Sequence, residues 1–165
     1  MSKLDRIDYR ILDVLQENGR LPVTSLAGLV GISVSPCWQR VKHLEKAGII
    51  RRYTAEIAIE KLQRVQIVLA HVILSKHNRG TYEFFERHVQ NIPEVVECYE
   101  ITGTFDYHLK LVVADMDRYS DIVEKFLCPS LGVEKYFTYV VTRAAKNEQT
   151  VRVRNIVSPD LIVAK

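Results

Sequence analysis

"SVSPCWQRVKHLEKAG", residues Ser33 to Gly48, decides how the rest of the chain is read. It opens with serines and a proline, carries the only tryptophan of the sequence, and sets Arg40, Lys42 and Lys46 beside Cys37 and His43. Pro36 fits a first helical turn, where its missing N–H has no intrahelical partner, and Ser33 or Ser35 can cap the N-terminus. Val34, Cys37 or Trp38, Val41 and Leu44 make an apolar stripe at helical spacing, closed by Ala47 and Gly48. With Val34, Val41 and Leu44 toward a core, Ser35, Gln39, Lys42, His43 and Lys46 turn outward, with Pro36 and Arg40 at the flank. A short, polar, cationic face of this kind suits a DNA major groove, where Arg and Gln read base edges and Lys or Ser holds phosphates.

Upstream, Leu4, Ile7, Ile11, Leu12 and Leu15 recur at helical spacing among Asp5, Asp8 and Asp13, which predicts a first amphipathic helix. "NGRLP" (18–22) breaks it, and Val23, Leu26, Ala27 and Val30 restart the pattern for two turns before Gly31. Three helices within about fifty residues, the last two joined by a tight glycine turn, are a helix-turn-helix arrangement. "IIRRYTAEIAI" then alternates as a small β wing would.

The net charge of +3 is too small to name a partner. Its distribution says more: residues 1–63 hold 10 basic and 7 acidic side chains, while residues 64–165 balance at 13 each. Between Ser33 and Arg52 only Glu45 opposes Arg40, Lys42, Lys46, Arg51 and Arg52, a local footprint suited to phosphates.

After a linker over 54–64 the texture changes. Strand-like segments at 65–75, 94–103, 106–115 and 133–144 enclose helical ones at 79–92 and 116–127, the βαββαβ order of a ferredoxin-like domain over 65–146. The expected class is therefore α+β: a winged helix-turn-helix over 1–53, the linker, the ferredoxin-like domain, and a tail over 147–165 in which "EQTVRVRNIVS" reads as one more strand.

Cys37, Cys98 and Cys128 are scattered and fit reduced thiols in a cytoplasm. Cys37 and Trp38 read as core filler; a redox role for Cys37 requires a depressed thiol pKa. The five histidines lie apart from one another, so no metal site is expected. Asp106 and His108 share a strand face, but no nucleophile or phosphate loop accompanies them, and no catalytic residue is expected. No apolar run approaches a membrane span, and "MSKLDRIDYR" lacks the apolar core of a signal peptide, which places the chain in the cytoplasm.

The segment from "LDRIDYRILDVL" through "VKHLEKAGIIRRYTAEI" resembles the winged helix-turn-helix of the Lrp/AsnC, or feast/famine, transcription regulators. "EVVECYEITGTFDYHLKLVVADMDRY" and "TYVVTRAAK" are similar to that family's amino-acid-responsive domain. The resemblance implies a regulator of double-stranded DNA with no cofactor, assembled as a homodimer through its sheets and often into octamers, with an amino acid bound between subunits. It implies DNA reading by Ser35, Pro36, Gln39, Arg40 and His43, and phosphate contacts by Arg20, Arg51 and Arg52. The effector loop would be Gly103, Thr104, Phe105 and Asp106, with Tyr139 and Val140 nearby; its N–H groups would receive a carboxylate while Asp106 answers an ammonium. Thr104 stands where the family usually carries an acidic residue, which leaves room for a different or larger ligand. Two other readings stay open: an architectural DNA-compacting protein without effector, and a regulatory subunit of a metabolic enzyme, which the helix-turn-helix argues against.

Overall fold

The computed structural model describes residues 4–126, 131–147 and 151–158. Leu127, Cys128 and the tail expected over 148–150 and 159–165 lie outside the described residues. The chain divides into two compact units, one of residues 1–56 with 146–165 and one of residues 57–145.

The first unit starts with α1 (Arg6–Glu17), fixed by a reciprocal cap: Asp5 accepts from the N–H groups of Ile7 and Asp8, and the Asp8 carboxylate accepts from the Asp5 N–H at 3.0 Å. Then come α2 (Val23–Val30) and α3 (Val34–Lys46). Gly31, at φ 75°, ends α2 in the left-handed region, where its N–H and that of Ile32 both reach the Ala27 carbonyl. This turn sets α3 across α2. Ile11, Leu26, Ala27, Val30, Cys37 and Leu44 make a fully buried centre, with Ile7, Leu12, Leu15 and Val41 packed around it.

Two expectations need correction here. The segment read as a β wing has no regular secondary structure over 51–58 and pairs with no strand among the described residues. The described part of "EQTVRVRNIVS" is no strand: it carries a single helical turn, α6 (Val153–Ile156), against α1.

The second unit is a four-stranded antiparallel sheet in the order β2-β3-β1-β4, from β1 (Gln66–Leu74), β2 (Val95–Glu100), β3 (Tyr107–Val113) and β4 (Val133–Val140). The connections run through α4 (Arg79–Val89) and α5 (Met116–Phe126), so each βαβ step skips one strand, as in ferredoxin-like folds. Alternation puts Val68, Ala70, Val72 and Leu74 of β1 with Tyr107, Leu109, Leu111 and Val113 of β3 on one face. Phe85 and Val89 of α4 and Tyr119 and Ile122 of α5 cover that face, so both helices lie on the same side. Among the described residues of this unit, no helix covers the opposite face of the sheet. The expected α+β class and βαββαβ order are both present.

Candidate functional site

α3 is anchored by Cys37 and Leu44, each 0% exposed, and presents Ser35, Pro36, Gln39, Lys42, His43 and Lys46 to solvent. Trp38 is a correction: it is 53% exposed, one helical turn from both Val34 and Lys42, and not core. Cys37 alone fills the core position, and burial pushes its thiol up, opposite to what a redox-active cysteine needs.

Arg40, at the flank of this face, is half-buried. Its guanidinium donates to Asp5 Oδ2 at 2.7 Å and Asp8 Oδ1 at 2.8 Å, tying α3 to the cap of α1. Burial works to raise the Asp5 carboxyl, but the Asp8 N–H and the Arg40 guanidinium outweigh it and hold the carboxyl below its usual range. Arg40 thus braces α3 against the start of α1.

Tyr53 organises the rest of the cationic surface. Its hydroxyl donates to Glu45 at 3.0 Å, and Glu45 also receives Lys42 at 2.8 Å. Burial and the neighbouring Glu45 push the Tyr53 hydroxyl up to about 12. A β-carbon on Gly19 would stand 3.3 Å from the Tyr53 ring, so this glycine makes room for it. Arg20, next to Gly19, and Arg51 and Arg52, just before Tyr53, are all exposed. Sequence reasoning missed Tyr53, whose partners are eight and more residues away.

In the second unit, the loop between β2 and β3 carries Gly103 at φ 125°, with Gly103 and Thr104 exposed at its tip. Phe105 turns inward, its ring stacked on His71 with centroids 4.6 Å apart and an 8° interplanar angle, and edge-on to Phe137 at 5.3 Å. Tyr139 meets His71 edge-on at 5.4 Å. Phe105 and Tyr139 therefore both meet His71 on the open face of the sheet.

Asp106 and Val140 do not join them. The Asp106 carboxylate accepts from the Leu74 N–H at 2.7 Å and the Tyr82 hydroxyl at 3.3 Å, and lies 3.2 Å from His77 Nδ1. It pins the loop to the end of β1. Val140 pairs with Val68, on the helix-covered side, because neighbouring strand residues point to opposite faces.

The open face also holds a pair that sequence reasoning left out. His71 and His108 are directly opposed on β1 and β3, with His71 Nε2 3.0 Å from His108 Nδ1. Burial, and then His71, lower the His108 pKa against the opposing pull of Glu97. His71 Nδ1 is buried and finds no hydrogen-bond partner among the described residues. The available signal was register: both histidines sit at the alternate, uncovered positions of their strands. A separate open cleft of about 460 Å³ lies at the start of α4, lined by Ser75, Lys76, Asn78, Phe84 and neighbours, and none of the loop residues reaches it.

A helix-turn-helix with a cationic recognition helix, joined to a ferredoxin-like unit, defines a two-domain DNA-binding protein. Comparison with known proteins narrows the class. Residues 4–51 match winged helix-turn-helix DNA-binding domains, and residues 67–151 match the Lrp/AsnC ligand binding domain. The chain belongs to the Lrp/AsnC family of transcription regulators. It is 40% identical to the transcriptional regulatory protein DoeX of Halomonas elongata over 87% of this chain and 91% of that protein. It is 38% identical to the leucine-responsive regulatory protein of Escherichia coli over 87% of each. Among solved structures, a transcriptional regulator of Neisseria meningitidis in complex with L-methionine superposes with a TM-score of 0.85 at 34% identity, covering 94% of this chain and all of that one. No helix among the described residues is long and apolar enough to cross a membrane.

Proposed function

We propose that the protein is a sequence-specific, cytoplasmic transcription regulator that works as a homodimer or higher oligomer such as an octamer, has no catalytic role, and answers to an amino acid. The single observation that carries the DNA reading is the outward face of α3, polar and cationic over a buried Cys37–Leu44 anchor. Ser35, Pro36, Gln39 and His43 read bases, while Arg20, Arg51 and Arg52 hold phosphates. Arg40 sets the angle of α3 and reads nothing.

Assembly and effector binding are assigned to the open sheet face. Phe137 and Tyr139 are 39% and 49% exposed there, beside Phe105 and the two histidines, a patch of the kind that a second copy covers. The Neisseria neighbour, solved with L-methionine, supports an amino acid as the ligand class. Gly103, Thr104, Phe105 and Tyr139 form its site, with Asp106 shaping the loop from behind.

The test is operator capture followed by titration of DNA affinity with each of the twenty amino acids. A selective change, lost in Phe105→Ala, is expected. Equal affinity for operator and mixed-sequence DNA, with no amino acid changing it, would instead establish the architectural reading.

A further inference from the structure

The described part of the C-terminal tail packs on α1 in a way its apolar residues do not explain. Val151 is 62% exposed and Ile156 71%, and no residue of α6 is buried. The contacts are polar. The Gln16 side chain grips the tail backbone at two points, donating to the Val151 carbonyl at 3.2 Å and accepting from the Val153 N–H at 2.7 Å. Arg152 pairs with Glu17 at 2.9 Å, and Arg154 pairs with Asp13 at 2.8 Å and with Glu17.

The two carboxylates sit one turn apart at the end of α1, a helix whose last turn has no basic residue to oppose its negative end. Asn18, Gly19 and Arg20 follow immediately. Without the tail, Asp13 and Glu17 would place two negative charges a few residues from a side chain assigned to phosphate. With it, they are neutralised.

We propose that Val151–Arg154 are a working part of the DNA-binding head: Arg152 and Arg154 cancel Asp13 and Glu17 beside the Arg20 turn, and DNA affinity depends on that cancellation. The inference rests on the DNA-binding reading of the first unit. Arg152 and Arg154 are positioning residues that act through α1 and do not themselves touch phosphate.

The experiment measures binding of the full chain to a mixed-sequence duplex several helical turns long, across a salt series, since the charge effect is independent of sequence. Arg152→Ala/Arg154→Ala is expected to bind about five- to tenfold more weakly at low salt, the gap closing as salt screens the exposed carboxylates. Adding Asp13→Asn/Glu17→Gln to that variant is expected to restore affinity to within about twofold. Asp13→Asn/Glu17→Gln alone, checked by thermal melting to be folded, is expected to bind at least as tightly as the native chain. A native chain that binds DNA alongside an unchanged Arg152→Ala/Arg154→Ala variant would overturn the inference alone. So would a loss that persists at high salt and is not rescued, the mark of a structural staple, or an unrescued loss with a shallower salt slope, the mark of direct phosphate contact. A native chain that binds no DNA would overturn the inference together with the reading beneath it.

Discussion

Replacing Arg40 by alanine leaves the Asp5 and Asp8 carboxylates facing each other without their shared cation. The expected loss is about 1 kcal/mol, because the pair is partly solvated, and it appears as a lower melting temperature. Its pH dependence has a definite sign. A carboxyl held below its ordinary value in the folded state contributes stability above the unfolded pKa and loses it as pH falls through the depressed value. The gap between native and Arg40→Ala is therefore full at pH 7 and closes below about pH 4. On the outward face, Gln39→Ala is expected to lower discrimination between operator and mixed DNA by about 1–3 kcal/mol, whereas Lys46→Ala weakens both alike, which competitive gel-shift titrations distinguish. The sequence left the choice between Cys37 and Trp38 open because adjacent helical residues flank the same stripe, and only packing against α1 and α2 selects one. Arg40 carried no local sign of its partners either, which lie 32 and 35 residues away.

Elements were legible where their pattern was self-contained. The period of β1 and β3, the stripes of α1 to α3 and the Gly31 turn all follow from residues close in sequence. Gly31→Ala is expected to cost about 1–2 kcal/mol, seen as a lower urea midpoint. The left-handed backbone alone sets this cost, since a β-carbon there meets nothing within 4 Å. The two misread elements share one cause: alternation reveals which face a strand would bury, and says nothing about whether a neighbouring edge exists. Residues 51–58 alternate but have no partner strand among the described residues, and "TVRVR" alternates because Val151 and Val153 take turns with Arg152 and Arg154, which reach α1. The same limit applies at the loop, where Phe105 and Asp106, consecutive in sequence, serve opposite sides of the sheet.

At the scale of the whole molecule, the open sheet face is where assembly and ligand response are proposed to meet. Phe137→Asp is expected to shift the protein toward monomer in sedimentation velocity, because burying a carboxylate against a second copy carries a desolvation cost that the phenyl ring does not. Its fold should persist, as Phe137 lies off the helix-covered core. The clasp on α1 adds an ordering in time. Its bonds join residues 135 to 141 positions apart, so at roughly 5–20 residues per second they first become possible some 7–30 s after α1 has been made. The head of a growing chain keeps its α1 carboxylates bare through that interval. Nascent or prematurely ended chains would then be poor rivals for the operator, and occupancy would follow the number of finished molecules.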